Sequence, residues 1–305
     1  MLNFVVRRLA QLVLVVLGVS TVVFLVLRLT GDPVALMLPP EATVQEVAAM
    51  RRALGFDAPL YVQYLRFLGN LLRGQLGDSL RYGQPALGLV LERLPATLEL
   101  AGSAQGFALL LAIPMGVLSA IRRDTVFDSA ASFLTLIGQA VPIFWLGMVL
   151  IVTFSVQRHW LPAFGRGGFE HLILPAIALG VHGAAMTSRL LRSAMLEVLS
   201  SDYLRTARAK GVAEYRVVMK HAFKNALLPV ITVIGLQFAH LLSGSVVTET
   251  VFAWPGVGRL IVQAISNRDY PLVQAGVLVM AFVFVLANLL VDIAYAYIDP
   301  RVSVK

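Results

Sequence analysis

The chain contains no cysteine. That excludes disulfides, thiolate metal sites and thiol nucleophiles, and leaves the redox compartment open. Charge is scarce too: 14% of the residues are charged, against roughly 25% in a soluble domain. Hydrophobic residues reach 58% and the mean hydropathy is +0.80, more apolar surface than a core of 305 residues can hide. Much of that surface must face lipid. A disordered, fibrous or nucleic-acid-binding chain is excluded.

Catalytic and nucleotide-binding motifs are missing as well. There is no GxxxxGK[ST] phosphate loop, no HExxH and no GxSxG nucleophile elbow. His159 and His171 are too sparse and too far apart to argue a metal site. No catalytic centre emerges, so a solute moved uphill would need energy supplied from elsewhere.

What the sequence does have is six long runs without a charge, residues 9–27, 100–121, 129–156, 172–188, 225–248 and 270–291. Spanning the hydrocarbon core takes about 20 apolar residues as a helix, and a β-barrel would show short alternating segments instead. Six transmembrane helices are expected. The first run follows Arg7 and Arg8, is longer than a signal-peptide core and has no A-x-A site before Arg28, so it reads as a retained anchor.

The net charge of +8 reflects basic residues clustered between the runs. On one side lie Arg7, Arg8, Arg122, Arg123, Arg189, Arg192, Arg205, Arg208, Lys210, Arg216, Lys220, Lys224, Arg301 and Lys305; on the other, short loops carry only Arg158, Arg166, Arg259 and Arg268. Basic residues near spans stay inside, which puts both termini in the cytoplasm. Pro114, Pro142, Pro175 and Pro229 interrupt the runs and should kink or irregularise their helices. Ala101-Gly102-Ser103-Ala104 and Gly183-Ala184-Ala185 should let helices approach closely.

Ion-coupled carriers usually place ionisable groups in mid-membrane. Here only His182 and His240 fall inside the runs, with Glu99, Glu249 and Asp292 at their ends. A lone histidine there is more often bonded to a neighbouring helix than a proton relay. A carrier or channel acting alone stays as the alternative from another class.

The longest inner segment is residues 189–224. Tyr215, Val218, Met219, Ala222 and Phe223 recur at helical spacing, while Arg216, Lys220 and Lys224 line a separate stripe. Upstream, Asp202 can cap a helix running through Ala209, and Gly211 supplies a break. Two short hinged helices result, apolar on one side and basic on the other. Periodicity fits an interfacial helix on anionic lipid and a docking element for a cytosolic partner equally well. Outside the fifth run, the Trp254-Pro255-Gly256-Val257-Gly258 turn reads as a structural corner with an interfacial Trp, ahead of a gate, and residues 257–265 as an amphipathic piece.

Residues Asp202 to Gly211, then His221-Ala222-Phe223-Lys224-Asn225 and Leu228-Pro229, resemble the EAA-x3-G-x9-I-x-L-P loop of ABC-importer permeases. Aligned on Gly211, the loop's Glu falls on Arg205, its alanines on Thr206 and Ala207, and its late Leu-Pro on Phe223 and Lys224. The second alanine and the glycine are kept; the acid is not. Further blocks are similar to the first permease subunit of dipeptide and oligopeptide importers. They are Gly31-Asp32-Pro33, Leu54-Gly55-Phe56-Asp57, Gly77-Asp78-Ser79, Glu92 to Leu100, Val251 to Gly258, Asn267-Arg268-Asp269-Tyr270-Pro271 and Tyr297-Ile298-Asp299-Pro300-Arg301.

The resemblance implies an all-α integral membrane protein, a type I ABC importer permease bundle of the MetI-like kind. Its implied layout is an anchor over residues 1–30, an extracytoplasmic segment over 31–95, a permease core over 96–298 containing the coupling loop 189–224, and a cytoplasmic tail over 299–305. Its implied partners are a homologous second permease, two cytosolic ATPases that bind ATP and Mg, and an extracytoplasmic solute-binding protein. Asp202, Thr206, Ala207, Gly211, His221 and Asn225 are the expected ATPase-coupling residues. Peptides are the implied solute class, with nickel chelates, glutathione and oligosaccharides as alternatives.

Overall fold

The structure is a computed structural model in which residues 2–29, 43–53 and 57–298 are described. The Gly31-Asp32-Pro33 block, residues 54–56 and the tail from Asp299 with Arg301 and Lys305 lie outside the described residues. The helices are α1 Leu2–Leu29, α2 Val44–Ala53, α3 Leu60–Leu72, α4 Ala86–Ile121, α5 Val126–Ala140, α6 Ile143–Leu150, α7 Glu170–Leu199, α8 Asp202–Ala209, α9 Glu214–Arg216, α10 Phe223–Val251, α11 Val257–Ser266 and α12 Tyr270–Ile298. Two π-helical stretches, Ile151–Gln157 and Val217–Ala222, continue α6 and α9. Among the described residues the only bridge pairing is an isolated one, Asp78 with Pro85.

Among the described residues, four helices are long and apolar enough to cross a membrane: Ala86–Ile121, Glu170–Leu199, Glu214–Ser243 and Tyr270–Ile293. The third charge-free run, expected as one span, is instead a broken pair, Val126–Ala140 and Ile143–Gln157, bent by 103°. Pro142 is the cause. It forces the residue before it out of the α region, and Val141 is extended at φ −75°, ψ 123°. Counting the pair as one span makes five, and a shorter apolar stretch, Val13–Val26, lies in α1. Pro175 and Pro229, by contrast, stay within their helices.

The chain divides into two units, Met1–Ala96 with Pro255–Leu286, and Thr97–Trp254 with Ala287–Lys305. In the first, Ala86, Val90, Val257, Leu260, Ala264, Leu272 and Ala275 form the core. The amphipathic reading of the piece after the Trp-Pro-Gly turn holds: α11 buries Val257, Leu260 and Ala264 and exposes Gln263 and Ile265. Phe24 of α1 packs edge-on to Tyr64 and stacks on Phe67, at 5.3 and 5.7 Å.

Two blocks far apart in sequence meet in this unit. The buried Asp269 carboxylate accepts the Ser79 hydroxyl, the Arg81 N–H at 3.3 Å and, at the start of α12, the Leu272 N–H at 3.3 Å. The Arg81 guanidinium also donates to the Asn267 side chain at 2.5 Å.

The second unit is built on close packing of α4 against α7. Gly180 carries the closest approach: a Cβ there would lie 2.5 Å from the Ala104 carbonyl oxygen. The small-residue expectation was right about the crossing, and Ala101, Ala104, Ala184 and Ala185 are indeed buried. Gly102 meets nothing within 4 Å. Near the start of α5, the Asp128 carboxylate is held by Arg192 of α7. At the other end of the unit, Phe252 is buried with Leu150, Ile151, Leu174 and Ala178.

Trp254 corrects an expectation. Its side chain is fully buried, so it is not an interfacial anchor. Ala253 takes a left-handed φ of 50° and the Trp254 N–H donates to the Glu249 carbonyl at 2.8 Å, which is the geometry of a tight corner. Glu249 itself lies inside α10, fully buried, accepting the Thr97 hydroxyl at 2.8 Å and the Ser245 hydroxyl at 3.0 Å. The sequence puts Glu249 at the end of its charge-free run, and it stands in the last turn of α10, where these two hydroxyls meet its side chain.

Candidate functional site

The inner segment is shorter than its sequence suggested, because α7 carries on through Arg189 and Arg192 to Leu199. A bend at Ser200 and Ser201 then turns the chain into α8. Ser201, not Asp202, occupies the position before that helix, and its hydroxyl donates back to the Val198 carbonyl at 2.5 Å. Asp202 is the first helical residue. Its carboxylate still favours the positive end of the helix dipole, which is why an acid belongs there.

A two-turn helix is too short to hold itself together in water, so tertiary contacts must fix it. Leu204 supplies the main one. It is fully buried in a cluster with Leu191, Met195, Val217, Val218, Ala222 and Ala226, and Ala207 packs half-buried against the same cluster. The opposite face is polar and open: Asp202, Arg205 and Thr206 are exposed, with Arg205 3.4 Å from Asp202. The Thr206 hydroxyl donates to the Asp202 carbonyl at 3.1 Å.

The chain reverses at Gly211, whose φ is +75° with nothing within 4 Å of a would-be Cβ. Glycine takes that left-handed conformation without the steric cost other residues meet. Across the reversal, Arg208 donates to both carboxylate oxygens of Glu214, at 3.0 and 2.9 Å. That bidentate contact raises the Arg208 pKa above its ordinary value, so the guanidinium stays charged.

Beyond the turn the expected apolar stripe is rotated. Val218 and Ala222 are buried and Phe223 partly so, but Tyr215 is 76% exposed and Met219 lies on the surface; Val217 takes the inner place. The π-helical stretch explains the shift. The Phe223 N–H donates to the Val218 carbonyl, five residues back, so side chains advance by a wider step than the 3.6-residue period assumes.

The six expected coupling residues thus divide. Asp202 and Thr206 share the outward face of α8, Ala207 looks to the core, and Gly211 makes the hinge. His221 and Asn225 belong to the root of α10, where Asn225 donates to the Tyr203 hydroxyl at 2.7 Å. Tyr203, Leu204 and Glu214 were not picked out from the sequence. Leu204 could have been, as the apolar partner of Ala207 at i, i+3; an Arg–Glu pair six apart across a glycine follows no helical spacing. Among the described residues no group of three or more His, Asp or Glu is placed to hold a metal ion.

Among the described residues, long apolar helices and a short, polar-faced helix beside a glycine turn are the geometry of an integral membrane protein. The sequence families agree. Residues 112–304 match the binding-protein-dependent transport system inner membrane component, and residues 1–101 match the N-terminal region of the same class of membrane component. The chain belongs to this family of inner-membrane transport proteins. The dipeptide transport system permease protein DppB of Alkalihalophilus pseudofirmus is 42% identical over 99% of this chain and 100% of its own length. The glutathione transport system permease protein GsiC of Salmonella paratyphi A is 43% identical over 100% of both.

Among solved structures, an inward-facing MetNI methionine ABC transporter chain matches with a TM-score of 0.57 at 19% identity, covering 70% of this chain and 98% of that one. A chain of an amino acid ABC transporter matches with a TM-score of 0.53 at 16% identity, covering 70% and 94%. These likenesses concern the fold, which is the MetI-like permease bundle.

Proposed function

We propose that this chain is a permease subunit of an ATP-driven importer of di- and oligopeptides. It crosses the cytoplasmic membrane six times with both termini inside, and a homologous second permease completes the translocation path. An extracytoplasmic solute-binding protein delivers the peptide. Two cytosolic ATPases bind ATP and Mg and do the hydrolysis; this chain does none.

The observation that carries the reading is the hinged inner segment: α8 anchored through Leu204 and Ala207, polar on its open face, and reversed at Gly211. Closure of the ATPases on ATP would move this segment and, through it, the bundle, from inward- to outward-facing. Only a contact that differs between the two states can bias them. The basic and apolar outward groups, Arg205, Lys210, Tyr215 and Met219, suit a groove on a protein as well as they suit lipid, and membership of a binding-protein-dependent transport family supports the protein.

The test is reconstitution with the partner subunits in liposomes. Peptide uptake should require ATP and the binding protein, and this chain alone should give no flux. Gly211→Pro should abolish transport and transport-stimulated hydrolysis while membrane insertion persists. Unchanged coupling in that variant, or flux from the isolated chain that depends on His182 or His240, overturns the reading.

Glutathione is a second reading of the solute, favoured by the 43% identity to a glutathione permease over the whole of both chains. Affinities of the cognate binding protein for dipeptides, oligopeptides and glutathione decide between the two.

A further inference from the structure

The attachment of α8 to the rest of the chain contains a feature that neither the family loop nor the hinge accounts for. The Tyr203 hydroxyl is used twice. It accepts a hydrogen bond from the Asn225 side-chain amide at 2.7 Å and donates to the main-chain carbonyl of His221 at 3.3 Å. The two partners are 18 and 22 residues away in sequence, one in the π-helical stretch and one in the first turn of α10.

Leu204 and Ala207 fasten α8 along one apolar edge and leave it free to roll about that edge. A second attachment on the neighbouring residue, polar and on the exposed side of the helix, removes the roll. The Arg208–Glu214 clasp then closes the far side of the turn. Helix α8, the Gly211 reversal and the root of α10 are therefore tied at three separate places, and a push on α8 cannot be absorbed by its rotating in place.

We infer that Tyr203 is the positioning residue that transmits movement of α8 to α10, its hydroxyl bolting the short helix to the π-helical root of the span. The π segment is a fitting place for such a bolt. Its wider turns carry a register that differs from the α-helix on either side, and single π turns inside α-helices are frequent at functional sites. A donor fixed on the His221 carbonyl holds that register against slipping when α8 is displaced.

Tyr203 is 45% exposed, and Asn225 is exposed too, so water can replace the bolt when it is removed. Its loss should therefore spare folding and affect transmission. This inference rests on the coupling role proposed above. If the wild-type complex shows no ATP-dependent uptake, that role fails; if it does and the variants below behave as wild type, only the bolt fails.

The experiment measures peptide transported per ATP hydrolysed in the reconstituted complex, together with ATPase co-purification and thermal stability. Tyr203→Phe keeps the ring and removes both hydrogen bonds. The ratio should fall about three- to tenfold, the size expected for one net hydrogen bond. ATPase association and melting temperature should stay at the wild-type values. Asn225→Ala should lower the ratio in the same direction, and the double variant should be no worse than Tyr203→Phe, because both act through one contact. An unchanged ratio in Tyr203→Phe, additive defects in the double variant, or a defect that tracks loss of bound ATPase each overturn the assignment.

Discussion

The Arg192 guanidinium straddles the Asp128 carboxylate, Nε and Nη2 each donating at 2.6 Å, and so pins the first turn of α5 to α7. Asp128 is buried while Arg192 keeps a side open, and the carboxylate also accepts the Asp124 N–H at 3.1 Å. Removing one partner strands the other. Asp128→Ala should destabilise the chain toward the low end of about 3–5 kcal/mol, because the remaining cation can reach water. Thermal unfolding in detergent checks this, and the Asp128→Ala/Arg192→Ala pair should cost less than the sum of the singles.

The α4–α7 crossing admits no side chain at Gly180. A methyl group there would lie 2.5 Å from the Ala104 carbonyl oxygen, which is backbone and cannot swing aside. Gly180→Ala should therefore cost about 1–3 kcal/mol, the usual range for overpacking, and Gly180→Val more. Gly102→Ala, on the same crossing helix but with open space around it, is the matched control and should be nearly neutral. Melting curves of the three variants measure the difference.

Buried hydroxyls explain how Glu249 is tolerated inside α10. Thr97→Val keeps the shape of the side chain but deletes a donor 2.8 Å from the carboxylate. Leaving a buried oxygen short of one bond costs about 1–3 kcal/mol. Thr97→Ser, which keeps the donor, should restore most of it. A Thr97→Val variant as stable as wild type would show that this bond contributes nothing.

Much of this architecture could be read from the sequence, and the failures have physical causes. Charge-free length located the long helices, because lipid demands an unbroken apolar run of about 20 residues. The same criterion missed the 103° break at Pro142, since a broken run and a straight one have the same composition. Amphipathic spacing found α11 and the inner segment. It misassigned Tyr215 and Met219 because a π-helical stretch does not keep a 3.6-residue period. The meetings of Ser79 with Asp269 and of Tyr203 with Asn225 are tertiary, and nothing local announces them.

At the start of α2, Thr43 and Glu46 cap each other. The Glu46 carboxylate accepts the Thr43 N–H at 2.8 Å and the Thr43 hydroxyl at 2.9 Å, while the Glu46 N–H donates back at 3.3 Å. Those bonds, the backbone one first, hold the Glu46 pKa below its ordinary 4.5. A carboxylate whose folded pKa is depressed adds stability above its unfolded pKa and loses it as pH falls through the folded one. The order of α2, followed by a spin label at Ala49, should therefore decline as pH drops below about 4.5, and Glu46→Gln should flatten that dependence. A profile shared by both would assign the change to other groups.

Gly211 offers a graded test of the hinge. At φ +75° a glycine is unstrained, whereas a non-glycine residue pays about 1–2 kcal/mol, least for asparagine, whose short side chain can bond locally. No atom stands within 4 Å of the Cβ position, so backbone conformation is the only obstacle a new side chain meets. The order of coupled transport should therefore be Gly, then Asn, then Ala, then Val, with Pro last because its ring fixes φ near −65°. Steric bulk would give a different order, placing Ala above Asn. Measuring peptide uptake and hydrolysis across the five residues separates the two: if Asn ranks below Ala, the reversal matters for the space it leaves and not for its handedness.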